Sequence, residues 1–102
     1  MSKSFNSRCY NLLRKVPKGK VTTYKALANA LNTKAYRAVG NAMNKNPYAP
    51  VVPCHRVINS NGELGGFASG LDNKIKMLKS ENVVIGKNNT INLDKYEFKL
   101  KN

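Results

Sequence analysis

Acidic residues are scarce in this chain. Its 102 residues include 5 aspartates and glutamates against 18 lysines and arginines, so the formal net charge is +13. Such an excess is far larger than solubility requires, and it indicates a polyanionic partner, with nucleic acid ahead of an anionic membrane surface. A basic protein without any polyanionic partner is the alternative interpretation. The length fits one domain with a modest core.

Histidine, cysteine and long apolar runs are also in short supply. One histidine and two cysteines are too few ligands for a dedicated structural zinc site. No apolar run reaches membrane-spanning length, and the N-terminus lacks the apolar core of a signal peptide. We therefore expect an intracellular, cytoplasmic protein with no membrane partner. A reducing compartment disfavours a disulfide between Cys9 and Cys54.

The scarce residues meet in one short segment, Val52-Pro53-Cys54-His55-Arg56. The thiolate is the nucleophilic form of cysteine, and a neighbouring base or positive charge increases its population near neutral pH. His55 and Arg56 supply both kinds of group. Pro53 and the polar residues after the cysteine suit an exposed turn better than a core element. The segment predicts Cys54 as a nucleophile, whereas a buried cysteine that packs as a small apolar residue is the alternative.

Apolar residues at helical spacing predict a first amphipathic helix at the start of the chain, with Cys9 on its buried side. Pro17 and Gly19 end this helix. The apolar positions are Phe5, Cys9, Leu12, Leu13 and Val16.

A helix-turn-helix is predicted between about residues 22 and 45. Thr22 or Thr23 can cap its first helix, and Asn32-Thr33 forms the break before the second. Small residues on the second helix would let it approach a narrow groove, although a charged helix face is often only solvated. The polar residues off the apolar side of that helix are Lys34, Arg37, Asn41, Asn44 and Lys45.

The rest of the chain predicts short extended pieces and one more helix. Residues 46–53 form an extended segment before Cys54, and residues 59–62 form a tight polar turn between two extended pieces. Leu71, Ile75 and Leu78 mark a helix with Lys74 on its outside. The tail, about residues 83–102, looks like a hairpin. The predicted class is mainly α with short β hairpins, a winged-helix-like helix-turn-helix in a single domain of residues 1–102.

With these segments in order, the sequence resembles the O6-alkylguanine-DNA alkyltransferases, which move an alkyl group from damaged guanine onto their own cysteine. The resemblance runs from about Phe5 to about Asn82, in the family's order and spacing. Members often carry an additional N-terminal domain, so the resemblance covers their C-terminal, DNA-binding and active-site domain only. The segments that carry it are 19–24 (GKVTTY), 37–43 (RAVGNAM), 46–47 (NP), 53–57 (PCHRV) and 65–67 (GGF).

The resemblance implies a catalytic role for five residues. Glu81 orients His55, His55 takes the Cys54 proton through a water, and the thiolate attacks the alkyl carbon in one displacement. Tyr24 protonates the leaving guanine. Asn46 braces the turn that carries the cysteine. The thioether product makes the reaction irreversible, so each molecule acts once, without a cofactor or metal.

The resemblance also implies a DNA interface and a base pocket. The second helix of the helix-turn-helix enters the minor groove, Arg37 inserts into the base stack, and Tyr24 turns the phosphate of the flipped nucleotide outward. Backbone groups at Cys54, Val57 and Ala68 hold the guanine, and Phe67 packs in the lid of the pocket. Phe67 and Ala68 stand where many members have tyrosine and serine, so recognition there rests on ring packing and backbone N–H groups. The expected DNA contacts are Tyr24, Lys34, Arg37, Asn41, Lys45 and Arg56.

The predicted function is DNA repair by direct, stoichiometric alkyl transfer from O6-alkylguanine in double-stranded DNA to Cys54, performed by a monomer at the chromosome. The main alternative is a non-catalytic helix-turn-helix protein that binds alkyl lesions, as related alkyltransferase-like proteins do with the reactive cysteine replaced. A helix-turn-helix regulator that reads the major groove is a further alternative. A Cys-His-acid hydrolase is disfavoured because Cys54 and His55 are adjacent in sequence.

Overall fold

Helices dominate the part of the chain that the computed structural model describes, which comprises residues 4–49, 51–67 and 70–100. The mainly helical, helix-turn-helix class predicted from the sequence is confirmed. Within those ranges, no helix is long and apolar enough to cross a membrane. The helices are α1 (Phe5–Leu13), α2 (Tyr24–Ala30), α3 (Tyr36–Asn44), α4 (Leu71–Ser80) and α5 (Leu93–Tyr96). The strands are β1 (Thr22–Thr23) and β2 (Val57–Ile58), and 3₁₀ turns lie at Cys54–Arg56 and Lys87–Asn89.

Helix α1 forms one wall of the core. The Ser4 hydroxyl caps it by accepting a hydrogen bond from the Ser7 backbone N–H at 3.1 Å, which satisfies one of the free donors of the first turn. Cys9 is fully buried, so its predicted buried position is confirmed. The Tyr10 hydroxyl donates to the Ala42 carbonyl at 2.8 Å. This buried bond fixes α1 against α3.

Helices α2 and α3 form the helix-turn-helix. The Thr23 hydroxyl caps α2 by accepting from the Ala26 N–H at 3.0 Å. The Thr33 hydroxyl accepts from the Ala35 N–H at 3.1 Å, a local turn that competes with helix formation. Helix α3 therefore begins at Tyr36, and Lys34, predicted inside this helix, precedes it.

The sheet joins the helix-turn-helix to the segment after Cys54. Strands β1 and β2 pair in parallel, with Thr22 opposite Val57. The predicted turn at residues 59–62 is present, since the Asn59 N–H donates to the Glu63 carbonyl at 2.9 Å. The extended piece predicted after this turn is reduced to a single antiparallel bridge between Glu63 and Thr90. Pairing between β1 and β2 holds the start of α2 beside the Cys54–Arg56 turn.

The hairpin predicted for residues 83–102 is wrong within the described part of this tail. The 3₁₀ turn contains Asn88 and Asn89 at φ values of 58° and 53°. Such a turn is compatible with a hairpin, but the residues after it pair elsewhere. Thr90 forms a bridge with Glu63, and the Ile91 N–H donates to the Gly62 carbonyl at 2.8 Å. Helix α5 follows, and Ile91 and Tyr96 are buried against Ile58 of β2.

Candidate active site

Cys54 begins the Cys54–Arg56 turn at the edge of the main core. The residue is 8% exposed, so the exposed turn predicted for it is wrong. The cause is packing, because Val52 and Cys54 belong to the apolar cluster formed mainly by α1, α2 and α3. The Cys54 N–H donates to the Val52 carbonyl at 2.9 Å, and the Cys54 carbonyl accepts from the Val57 N–H. The backbone of the thiol is therefore fixed on both sides.

Asn46 holds the segment that precedes Cys54. Its Nδ2 donates to the Val52 carbonyl at 2.7 Å, and its Oδ1 accepts from the Tyr48 N–H at 2.9 Å. The Val52 N–H donates back to the Tyr48 carbonyl at 3.1 Å. The segment is thus a series of turns and not the extended run that the sequence predicted. Asn46 connects the end of α3 to the residues before the thiol.

His55, Glu81 and Arg56 form a compact charged cluster behind Cys54. His55 Nε2 lies 2.8 Å from Glu81 Oε2. Arg56 donates to both carboxylate oxygens, from Nε to Oε1 at 2.8 Å and from Nη2 to Oε2 at 2.6 Å. Its Nη1 donates to the Val16 carbonyl at 2.9 Å. Glu81 is the C-cap of α4, so the end of that helix delivers the carboxylate to the turn.

The carboxylate selects the tautomer of His55. An ionised carboxylate only accepts hydrogen bonds, so the Nε2 atom that faces Glu81 carries the hydrogen. His55 Nδ1 is then the basic nitrogen, and it is buried with no hydrogen-bond partner among the described residues. The imidazole can accept a proton at Nδ1 while Glu81 stabilises the cation that forms.

Burial and hydrogen bonds set the charge states of this pair. Burial lowers the pKa of His55, although the hydrogen bond and charge of Glu81 oppose the decrease. Burial alone would raise the pKa of Glu81, but hydrogen bonds from Arg56 and His55 help to hold it below its ordinary value. At neutral pH the pair is therefore a carboxylate and a neutral imidazole.

Tyr24 lies at the start of α2, half-buried against the cluster that contains Cys54. Burial raises the pKa of its phenol, with a smaller contribution from Cys54. The phenol is therefore protonated at neutral pH. A cavity of about 480 Å³ lies beside it, lined by Tyr24, Lys25, Tyr36, Asn59, Ser60 and Asn61. Cys54 and His55 do not line this cavity, so it is distinct from the immediate surroundings of the thiol.

Phe67 and Val57 are two further residues expected in the base pocket. Phe67 is half-buried and packs against the same cluster as Cys54. The preceding loop bends at Gly65, whose φ is 71° and where a Cβ would lie 3.0 Å from Asn59 Oδ1. The Val57 carbonyl accepts from Lys74 Nζ at 2.7 Å. Ala68, the remaining residue expected in the base pocket, lies outside the described residues.

One face of α3 presents the polar side chains predicted to meet DNA. Arg37, Asn41 and Lys45 are exposed and spaced four residues apart, so they align along one side of the helix and its C-cap. Lys34 is exposed ahead of the helix. Arg56 does not join them. Its side chain is 14% exposed and is paired with Glu81, a contact across 25 positions that local pattern could not reveal.

Lys74 is a buried residue that the sequence pattern places on the outside of α4. It was expected on the outside of α4, and this is wrong, because its relative exposure is 0%. Helical spacing carried a usable signal, since Lys74 lies three residues after Leu71 and four before Leu78, both assigned to the apolar side. A lysine at such a position is usually assumed to be solvated, so the spacing alone does not lead to a prediction that Lys74 is buried.

Comparison with known proteins gives a consistent result for most of the chain. The family model described as "6-O-methylguanine DNA methyltransferase, DNA binding domain" matches residues 4–83. A methylated-DNA–protein-cysteine methyltransferase from Methanosarcina acetivorans is 53% identical over 78 residues, which cover 76% of this chain and 50% of the relative. The chain therefore spans about half the length of the curated relatives it matches.

Two solved structures with DNA share the fold. Mycobacterium tuberculosis OGT in complex with DNA superposes with a TM-score of 0.75 at 36% identity, over 80% of this chain and 51% of that one. S. pombe Atl1, in complex with damaged DNA containing O6-carboxymethylguanine, gives a TM-score of 0.84 at 31% identity. The second match covers 97% of this chain and 99% of Atl1.

Proposed function

We propose a function on the premise that the chain belongs to the family of the 6-O-methylguanine DNA methyltransferase DNA-binding domain. In this proposal the protein transfers an alkyl group from O6-alkylguanine in double-stranded DNA to its own Cys54. The cluster behind the thiol carries the proposal, since His55 Nε2 lies 2.8 Å from Glu81 Oε2 and Nδ1 is left as the base. Mass spectrometry of the protein after exposure to alkylated DNA is the test.

The transfer is a single displacement at the alkyl carbon. His55 Nδ1 accepts the Cys54 thiol proton through a water, and the sulfur forms its bond to carbon as the bond from carbon to O6 breaks. The electrons of the broken bond pass to the guanine, and the Tyr24 phenol donates a proton to it. These steps leave His55 as an imidazolium and Tyr24 as a phenolate. Return of a proton from His55 to Tyr24 through solvent restores both residues, so the net proton moves from Cys54 to guanine. A thioether resists hydrolysis, so each molecule acts once.

Binding precedes this chemistry, because O6-alkylguanine is stacked inside the duplex and must be flipped out to reach the thiol. We assign the contact with DNA to α3 and its flanks, through Lys34, Arg37, Asn41 and Lys45. The small residues Ala38 and Gly40 let this helix approach a minor groove closely. Arg56 is left out of this set because Glu81 and the Val16 carbonyl already bind its guanidinium.

The chain corresponds in this proposal to the C-terminal DNA-binding and active-site domain of the longer relatives, as one domain of residues 1–102 that acts as a monomer. A substrate in DNA places the activity with the chromosome.

A lesion-binding protein that transfers nothing is the second candidate function. The observation that favours it is the match to S. pombe Atl1, which covers 99% of that chain where the curated methyltransferases are matched over about half. The presence of the Cys54 thiol, followed in the chain by the His55 base, counts against it. Lesion binding without any change in protein mass would support the second candidate.

Binding to duplex DNA should weaken steeply as salt rises. Two cations, Lys34 and Lys45, lie on the proposed surface besides Arg37, which is assigned to the base stack. Each neutralised phosphate contributes about −0.9 to the slope of log K against log salt. We expect a slope of about −2 for an unmodified duplex, measured by fluorescence anisotropy, and a slope less negative by about 1 in Lys34→Ala. Equal affinity at low and high ionic strength would contradict the phosphate-based interface.

Arg37→Ala should slow methyl transfer from duplex DNA by roughly 10- to 100-fold, because unstacking a base costs a few kcal/mol and the arginine fills the gap left in the stack. Transfer from the free base O6-methylguanine should be unchanged, since nothing has to be flipped. Single-turnover rates on both substrates give the measurement.

Lys76→Ala is the matched control for Arg37→Ala, because it removes one exposed cation from α4, outside the proposed interface. It should leave both rates unchanged. An equal loss on duplex and free base in Arg37→Ala would refute the role of Arg37 in flipping.

A further inference from the structure

Lys74 is a charged residue in the interior of the domain. It lies in α4 and has a relative exposure of 0%. A buried ammonium is costly unless hydrogen bonds replace its hydration. The groups that surround the Lys74 ammonium therefore indicate the role of a buried lysine at this position.

Three backbone carbonyls surround the Lys74 ammonium. Nζ donates to the Val57 carbonyl at 2.7 Å, to the Leu64 carbonyl at 2.6 Å and to the Gly66 carbonyl at 3.3 Å. Nζ also lies 5.9 Å from the centroid of the Phe67 ring, within the range of a cation–π contact. An ammonium has three N–H bonds, so each carbonyl has one donor.

The three carbonyls belong to two different walls of the proposed base pocket. Val57 follows the Cys54–Arg56 turn directly, and its carbonyl is one of the groups expected to read the guanine. Leu64 and Gly66 precede Phe67 in the loop expected to cover the base. The Cys54–Arg56 turn also packs against α4, the helix that carries Lys74. One side chain thus links the wall that carries the nucleophile to the loop opposite.

We propose that Lys74 is a positioning residue of the alkyl-transfer site, whose ammonium fixes the Leu64–Phe67 loop against the Val57 carbonyl and thereby orients the flipped base toward Cys54. This inference rests on the proposed function. In this proposal Lys74 makes no contact with the alkyl carbon. Its effect is on geometry, because the Val57 carbonyl keeps its second lone pair for the substrate while the first is held by Nζ.

The charge on Lys74 is sensitive to alkaline pH. Burial lowers its pKa to about 8, and the neighbouring Cys54 opposes this decrease. The titratable and charged groups on the packed turn are Cys54, His55 and Arg56, with Glu81 at the end of α4 itself. A neutral amine has two N–H bonds, so deprotonation leaves one of the three carbonyls without a donor.

The first test compares Lys74→Met and Lys74→Arg with the native chain. Lys74→Met keeps the length of the side chain but removes all three donors, and it should slow methyl transfer at saturating duplex on the order of 100-fold, as misplacement of reacting groups does. The DNA concentration at half-saturation should stay unchanged, because α3 makes the contact. Lys74→Arg restores a cation and should recover part of the rate. Lys76→Met, at an exposed site on the same helix, should match the native chain.

The second test uses the native chain alone, which keeps the inference testable if Lys74→Met fails to fold. The transfer rate should decline as pH rises through about 8, with the midpoint set by Lys74. Tyr24 cannot cause this decline, because its pKa is raised above 10.0. Unfolding caused by the deprotonation of Lys74 cannot explain the decline in rate either. Its folded-state pKa lies below the unfolded value, so deprotonation in this range does not destabilise the fold. Lys74→Arg should lack the decline.

The outcomes separate this inference from the function on which it rests. Absence of methyl transfer to Cys54 in the native chain would overturn both. Native transfer combined with an unchanged rate in Lys74→Met would overturn the role of Lys74 and leave the function standing. A flat native profile between pH 7 and 9.5 would do the same where Lys74→Met does not fold.

Discussion

Incubated with excess duplex DNA that contains O6-methylguanine, the protein should gain one methyl group on Cys54 and then stop. Cys54 is followed in the chain by His55, a neutral imidazole whose buried Nδ1 has no hydrogen-bond partner among the described residues. The thioether that forms cannot return the methyl group. Intact-protein mass spectrometry gives the stoichiometry, and a peptide map gives the position. Cys54→Ala should abolish transfer completely while DNA binding through α3 persists.

Cys9 provides the internal control for this experiment. It is fully buried on α1, and burial raises the pKa of its thiol, so the nucleophilic thiolate is scarce there. Cys9→Ala should transfer as the native chain does. Methylation at Cys9 would overturn the site assignment, whereas repeated turnover would favour a hydrolase.

The helices of this fold can be predicted from sequence because their signals are local. The apolar spacing that includes Cys9 and Leu13 determines the buried side of α1, and a threonine ahead of Tyr24 supplies the cap of α2. The start of α3 is misplaced by two residues because the Thr33 turn competes with the helix. Parallel pairing of Thr22 with Val57 depends on the packing of everything between them, and no short pattern contains it.

The candidate site also contains some residues that local sequence signals predict and others that they do not. Cys54 and His55 can be singled out because two rare residues are adjacent. Glu81 is found only through the family resemblance, and the structure places it in contact with His55, while its role stays a prediction. The burial of Lys74 and the pairing of Arg56 with Glu81 are both missed for one physical reason. A basic side chain is presumed solvated until the fold shows a carboxylate or a set of carbonyls that compensates its burial.

His55→Gln should reduce the rate of Cys54 methylation by about 100- to 10,000-fold, the usual contribution of a general base. This corresponds to about 3 to 5 kcal/mol of activation free energy. Glu81→Gln should cost less, because the base is still present but is no longer held by a charged partner. Glu63→Gln, which neutralises an exposed carboxylate, is the matched control and should leave the rate unchanged.

The pH dependence of the same reaction tests whether Glu81 acts through His55. In the proposed mechanism transfer needs the neutral imidazole, and the pKa of His55 lies below its ordinary 6.5. The native rate should therefore be level near pH 7 and decline only at more acidic pH. Glu81 raises the pKa of His55 through its hydrogen bond and its charge. Its replacement by glutamine should therefore move the acidic decline to lower pH.

Acid unfolding must be separated from this decline. The folded-state pKa values of His55 and Glu81 are both lowered, so the unfolded chain binds protons more readily at acidic pH. Their contributions to stability are complete above about 6.5 and 4.5 respectively, and they are lost as pH falls through the folded-state values. Circular dichroism at each pH identifies the range in which the protein stays folded. An acidic decline at the same pH in native protein and in Glu81→Gln, both folded, would return Glu81 to a purely structural role as the partner of Arg56.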